Sequence, residues 1–157
     1  MIKKLLQVFI LGLLFGSLIL PARLTVRAAD MTCPTHIPVT VDVKPGGYPN
    51  TINLSSMGLV PVAVITTPGF DANQFIPEMA LLADANTDMS NGCNGAMAIR
   101  WVLADVNGDT NADLVFFFRT QDLNLTAAST AATFMAHGMY AATTVHIMGT
   151  DSVKIVP

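Results

Sequence analysis

The first readable pattern along the chain is an alternation of apolar and polar residues at positions 37–43. A period of two is typical of a half-buried β-strand, because successive side chains of a strand point to opposite faces. Val39, Val41 and Val43 are therefore expected to share one face. The Pro-Gly-Gly sequence at 45–47 ends this strand in a turn.

Positions 59–65 form an apolar, β-branched run that predicts a second strand. Pro61 has no N–H donor, so we expect it at the start of the strand, at a bulge or at a sheet edge. Residues 70–77 are expected to connect this strand, with at most one helical turn, to a short third strand at 79–83.

The strongest pair of strand signals lies at 98–104 and 113–119. Only a short polar loop separates the two runs, which predicts a hairpin. In the first run Ile99, Trp101 and Leu103 share a face. The second run is apolar on both faces, as expected of a central strand.

The remaining segments give weaker signals for secondary structure. Residues 84–95 are a polar loop. Residues 126–144 are rich in Ala and Thr and fit a helix or a weak strand, and the runs at 143–148 and 152–156 predict closing strands. Short strands at this spacing favour an all-β fold. We expect an antiparallel, Ig-like β-sandwich of six to eight strands with at most one short helix.

The N-terminal 28 residues have the pattern of a secretory signal peptide. Lys3 and Lys4 precede a run of 16 largely apolar residues, which Pro21 ends. The small residues Ala28 and Ala29 come soon after, and we expect cleavage after Ala28. The run is short for a membrane-spanning helix, although an uncleaved N-terminal anchor is the alternative. The predicted product is one extracellular domain, residues 29–157.

The net charge of the expected mature chain limits the classes of partner that it can bind. Removing the signal peptide leaves four basic against eleven acidic residues, so the expected mature chain has a net charge of −7. An acidic domain lacks the basic surface that nucleic acids require and suits divalent cations. We expect no nucleic-acid partner and no membrane association after cleavage; the protein or polysaccharide partner stays unknown.

Two cysteines remain after the predicted cleavage, Cys33 and Cys93. Export permits a disulfide between them, which would tie the N-terminal arm to the polar loop. Two unpaired thiols are the alternative.

The loop of the predicted hairpin contains the clearest chemistry. Oxygen-bearing side chains alternate along it, and a backbone carbonyl is available at Asn111. Calcium takes six to eight oxygen ligands, which alternate positions of a tight loop supply, whereas magnesium demands stricter octahedral geometry. The predicted calcium ligands are Asp105, Asn107, Asp109, Asn111 and Asp113.

One residue departs from the usual form of such loops. Thr110 stands at the sixth position, where glycine normally provides a positive φ, and a β-branched residue is strained there. A polar hairpin turn without an ion is the alternative interpretation. A true EF-hand is excluded because position 12 carries no acidic residue.

Several motifs resemble a module of secreted bacterial and archaeal proteins. They are VDVKPG at 41–46 with PNTIN at 49–53, GLVPVAVI at 58–65, the aspartate loop with FRTQD at 118–122, and GTDSVKIV at 149–156. The resemblance covers most of residues 39–157. It implies a β-sandwich accessory domain of larger secreted proteins and implies no activity.

Other function classes have weaker support. The sequence contains no nucleophile elbow, zinc-protease helix or phosphate-binding glycine loop, so we expect no enzyme. His137 and His146 would bind zinc if they met across a hairpin beside a carboxylate, but ordinary strand or turn histidines are the favoured interpretation. Carbohydrate binding is the main alternative function; for it, Tyr48 is the better exposed ring, because Trp101 is expected in the core.

Overall fold

The computed structural model describes residues 36–89 and 94–156, which belong to one compact unit. Eleven strands and two 3₁₀ turns, Ala72–Gln74 and Thr120–Asp122, make up its regular structure. The strands are β1 His36–Pro38, β2 Thr40–Val43, β3 Thr51–Asn53, β4 Leu59–Ile65, β5 Phe75–Asp84, β6 Ala96–Met97, β7 Arg100–Ala104, β8 Asp113–Arg119, β9 Ala131–Tyr140, β10 Thr143–Ser152 and β11 Lys154–Val156.

The strands form two main sheets. One has five strands in the order β1-β10-β9-β5-β6, and the other has four in the order β2-β4-β8-β7. A small third sheet pairs β3 with β11. Neighbours are antiparallel except for two parallel pairs, β1 with β10 and β11 with β3.

Both main sheets contribute side chains to one hydrophobic core. The ring of Phe134 on β9 lies 4.9 Å from that of Phe116 on β8 and 6.4 Å from that of Phe118, centroid to centroid. All three rings are almost completely buried. The predicted all-β sandwich is therefore confirmed, with more strands and one more short helical turn in the described residues than expected.

The predicted strand at 37–43 divides between the two sheets. Its first part, β1, joins the five-stranded sheet, and its second part, β2, joins the other. Val41 and Val43 are buried, as the alternation indicated. Where the chain passes from β1 to β2, it lies close to Gly149 on β10. A Cβ added to Gly149 would lie 2.4 Å from the Val39 carbonyl oxygen.

The bounds of β4 match the prediction, but its position does not. β4 lies inside its sheet, between β2 and β8, so Pro61 is neither at an edge strand nor at the strand start. The ladder with β2 begins only at Val62. On that side Pro61 uses its carbonyl, which accepts the N–H of Lys44 (2.8 Å). The missing N–H of Pro61 therefore costs no hydrogen bond in the ladder between β4 and β2, because β2 has already ended at this point.

One further prediction is corrected in length, and one open alternative is settled. The third strand is not confined to 79–83, since β5 begins at Phe75 directly after a 3₁₀ turn. The Ala/Thr-rich segment forms strand β9, which lies inside the five-stranded sheet between β10 and β5. Small side chains allow this close packing: a Cβ at Gly138 would lie 2.3 Å from the Ile76 carbonyl oxygen.

The predicted hairpin is confirmed as β7 and β8, with β8 central in its sheet. Strand β7 is an edge strand, and every one of its residues is exposed. Trp101 is 44% exposed, so the expectation that it lies in the core is wrong. The reason is that β6, the outermost strand of the opposite sheet, is only two residues long.

Several predictions fall outside the described residues. Residues 1–28, with the proposed cleavage site, and both cysteines lie there, so the signal peptide and the disulfide stay predictions. Within the described ranges, the structure contains no helix with the length and hydropathy needed to cross a membrane.

Candidate functional site

The loop between β7 and β8 brings the predicted calcium ligands into one short turn at the end of the four-stranded sheet. The carboxylate of Asp105 organises it. Its Oδ1 accepts the N–H of Gly108 (2.7 Å), and its Oδ2 accepts the N–H of Thr110 (3.0 Å). The backbone therefore folds around the first acidic side chain of the loop.

In the middle of the loop, side-chain oxygens again accept backbone N–H groups, here from residues two positions further along the chain. Asn107 Oδ1 accepts the N–H of Asp109 (2.9 Å), and Asp109 Oδ1 accepts the N–H of Asn111 (2.8 Å). The Asn107 side-chain amide also donates to Asp109 Oδ2 (3.0 Å). The hydrogen bond from the Asn111 backbone, followed by that from the Asn107 side chain, lowers the pKa of Asp109. The carboxylate is thus held in its charged form.

Two residues of the loop have left-handed backbone conformations. Gly108 has φ of +77° and Thr110 has φ of +72°. Glycine adopts this region without a steric penalty, whereas a β-branched residue does not. Thr110 therefore keeps the bend expected at the sixth position of a calcium loop, at a conformational cost.

Asp113 ends the loop and is fully buried. Its Oδ2 accepts the N–H of Val106 (3.1 Å), and its Oδ1 accepts the N–H of Thr66 (2.8 Å) at the end of β4. The Thr66 hydroxyl in turn donates to the Ala112 carbonyl (2.6 Å). This carboxylate joins the two ends of the loop to the neighbouring strand.

Carboxylates alone do not make a metal site here. In the described part of the chain, no group of three or more His, Cys, Asp and Glu side chains is arranged to hold a metal ion. Any calcium site in the loop therefore depends on amide and backbone carbonyl oxygens as well, which calcium accepts.

A second feature is a groove of about 380 Å³ between the edges of the two main sheets. It lies where β6 is too short to cover β5, and Trp101 and Arg100 of β7 line it opposite Glu78 and Met79 of β5. The guanidinium of Arg100 sits 3.7 Å above the ring of Phe117. Tyr48, 93% exposed as predicted, belongs to a different loop.

A third feature is a row of histidines on the outer face of the five-stranded sheet. His146 on β10 lies directly opposite His36 on β1 and His137 on β9. Its ring centroid is 5.3 Å from that of His36 and 5.0 Å from that of His137. The Nδ1 atom of His137 is 3.1 Å from Oε2 of Glu78. Burial, and then the imidazoles of His137 and His36, lower the pKa of His146.

The sequence indicated part of this row. His137 and His146 meet across the β9–β10 hairpin with Glu78 beside His137, which is the arrangement on which zinc binding would depend. His36 was missed, because it reaches the row through the parallel pairing of β1 with β10, two strands far apart in sequence.

Comparisons with protein-family models, with curated proteins and with solved structures found no match for this chain. The resemblance to the secreted module accordingly rests on its sequence motifs alone.

Proposed function

We propose that residues 29–157 form a secreted, non-catalytic β-sandwich module, stabilised by one calcium ion in the loop 105–113, with a role in adhesion, in surface assembly or as an accessory domain. The observation that carries the calcium proposal is the folding of this loop around Asp105, whose carboxylate accepts two backbone N–H groups. Secretion rests on the signal-peptide pattern at the N-terminus.

Electrostatics supports a cation at this place. Three carboxylates, those of Asp105, Asp109 and Asp113, lie within nine residues of chain, and like charges so close repel one another. Among the described residues, none of the three forms an ion pair with a basic side chain. A divalent cation would offset two of these three negative charges, and the Asn107 amide and the Asn111 carbonyl would complete an all-oxygen set.

The bound ion would act on structure rather than on chemistry. Asp113 already ties the loop to the end of β4 through Thr66. Calcium joining Asp105 to this residue would brace the loop end of the β7–β8 hairpin and hold the sheet edge. Binding to the folded state alone raises stability in proportion to the logarithm of the calcium concentration.

The calcium proposal is tested by thermal unfolding of the purified protein in millimolar calcium and in chelator. We expect calcium to raise the midpoint by several degrees, and the Asp105→Ala/Asp109→Ala variant to lose that rise. The exposed Asp122, outside the loop, provides the matched control: Asp122→Ala should keep the full calcium response. A midpoint that ignores calcium in the unaltered protein would show that the loop is a turn without an ion.

The assembly role rests on strand β7. It has no neighbour on its outer side within the described residues, and it exposes Trp101, Val102 and Leu103. Natural edge strands are usually protected by charge, proline or a covering segment. An unprotected apolar edge favours the addition of another strand.

The occupant we propose for this edge is β7 of a second copy of the chain, paired antiparallel. Antiparallel pairing centred on Val102 places Trp101 of each strand opposite Leu103 of the other, so that exposed apolar side chains of the two copies pack against each other. The pairing would extend each four-stranded sheet into one of eight strands.

Carbohydrate binding is the second candidate function, and the position of Trp101 favours it. Trp101 is exposed and lines the groove together with Arg100, opposite Glu78, and an aromatic face with nearby polar groups is a usual setting for a ligand. Retardation in gels containing soluble polysaccharides, lost in Trp101→Ala and kept in Tyr48→Ala, would support this alternative. Equal migration with and without each polysaccharide would count against it.

A further inference from the structure

The three histidines of the chain, separated by up to 110 positions, all lie in the row on the outer face of the five-stranded sheet. Directly opposite residues on neighbouring strands have Cβ atoms about 4.5–5.5 Å apart. At that spacing two imidazoles can bind the same ion, since metal–nitrogen bonds are about 2 Å long. The sheet therefore holds three nitrogen ligands side by side without help from a flexible loop.

We propose that His36, His146 and His137 bind one divalent transition-metal cation, with Cu²⁺ preferred. Imidazole nitrogen suits copper, nickel and zinc, and among these ions the intrinsic affinity of such a site is highest for Cu²⁺. This site is separate from the loop 105–113, whose ligands are oxygens.

Glu78 completes the arrangement from the adjacent strand β5. Its carboxylate oxygen lies 3.1 Å from Nδ1 of His137. A carboxylate that accepts the hydrogen bond of a ligating histidine orients the ring and makes its other nitrogen a better ligand. Nδ1 of His137 is thereby occupied, which leaves Nε2 for the metal.

Apolar side chains border the row of histidines on the same face of the sheet. Met79 lies opposite His137 in the ladder, and Met135 and Met148 follow two positions along the same face. Leu81, Met135 and neighbouring residues form a small buried cluster against which Met79 and Met148 pack. This apolar border reduces competition from water for the bound cation.

Metal binding requires a movement of side chains and none of the backbone. As the side chains stand, no three of the acidic, histidine and cysteine residues described are arranged around a common ion. His36 is exposed, so its ring is free to turn toward His146, whereas Glu78 holds the ring of His137 and leaves its Nε2 for the metal. The strand register keeps their attachment points in place during that rotation.

Electron paramagnetic resonance of the full chain with one equivalent of Cu²⁺ tests the proposal. The protein must be purified without a histidine tag, so that every imidazole signal comes from this row. We expect one bound copper with hyperfine structure from at least two imidazole nitrogens. Isothermal titration should give one site, with Zn²⁺ binding more weakly than Cu²⁺.

Variants of the histidine row distinguish a specific copper site from incidental copper binding. His146→Ala should abolish the nitrogen signature, whereas Thr144→Ala, on the same strand and face, should leave it unchanged. Glu78→Gln should weaken copper binding about tenfold, as expected of a residue that supports a ligand. Because His146 is partly buried, His36→Ala at an exposed position serves as the second variant if the first does not fold.

Three results would overturn the proposal. One is copper bound through oxygen or sulfur ligands only, which would point to the aspartate loop or the cysteines. Another is a nitrogen signature that survives in both His146→Ala and His36→Ala. The third is binding of Cu²⁺ no tighter than its binding to free imidazole.

Discussion

The side-chain amide of Asn50 donates a hydrogen bond of 2.7 Å to the carboxylate of Asp151, 101 residues further along the chain. The same Asp151 oxygen accepts the N–H of Val43 (2.9 Å), and the amide also donates to the Ser152 carbonyl (3.0 Å). Asn50 belongs to the PNTIN motif and Asp151 to the GTDSVKIV motif. Two of the motifs that carry the resemblance to a secreted module therefore meet in one structural junction.

Breaking this junction should destabilise the fold. Asn50 is buried, so Asn50→Ala removes one partner of a charged hydrogen bond and leaves Asp151 less well satisfied. A loss of about 1–3 kcal/mol in the free energy of unfolding is expected, measured by urea denaturation. Asn53→Ala, at an exposed amide that bonds only within its own turn, is the control. Equal stability of the two variants would show that the junction contributes little.

Asp42, near this junction, should limit stability at neutral pH. Burial, and then the charge of Asp151, raise the pKa of Asp42. A carboxyl whose pKa is higher in the folded state favours folding while protonated, and that contribution is lost as the pH rises through the folded pKa. Asp42→Asn, which keeps the shape without the charge, should therefore unfold at a higher temperature than the unaltered protein at pH 7.

The pH dependence of that difference provides the check. The difference in thermal midpoint between Asp42→Asn and the unaltered protein should shrink at low pH, because the Asp42 carboxyl is then protonated and neutral as well. Thermal melts at pH 3 and pH 7 measure it. A gain of the same size at both pH values would assign the effect to packing and not to charge.

Thr110 should be a weak point of the aspartate loop. Its φ of +72° lies in the left-handed region, which costs a residue with a side chain about 1–2 kcal/mol. Thr110→Gly should raise the thermal midpoint without calcium and, if calcium binds, tighten its binding. Thr110→Ala removes the β-branch but keeps a Cβ atom. It therefore shows how much of the conformational cost comes from the β-branch and how much comes from any side chain. A lower midpoint in the glycine variant would mean that the loop gains more from the threonine side chain than its conformation costs.

Strand β7 should govern self-association. Val102→Lys places a charge at the centre of the exposed edge, a device by which natural sheets avoid pairing. Light scattering after size-exclusion chromatography should give a dimer for the unaltered protein and a monomer for this variant. Met57→Lys, at an exposed methionine in the β3–β4 turn region, should remain dimeric. A monomeric unaltered protein at high concentration would refute pairing through β7.

The sequence alone determined where the most regular strands begin and end. The limits of β4 and β8 agree with the prediction residue for residue, because β-branched and aromatic runs bounded by turns have few alternative structures. The hairpin around the aspartate loop was likewise predictable, since strands joined by a short turn must pair with each other. These features depend on interactions between residues close in sequence.

Only the tertiary structure decided which strands lie side by side and which faces they cover. The division of residues 37–43 between two sheets, the exposure of Trp101 and the pairing of Asn50 with Asp151 depend on contacts across distant parts of the chain. The same holds for the histidine row, since His36 meets His146 only because β1 pairs in parallel with β10. Periodicity marks a strand and its two faces, but the register between distant strands is set by how whole sheets pack.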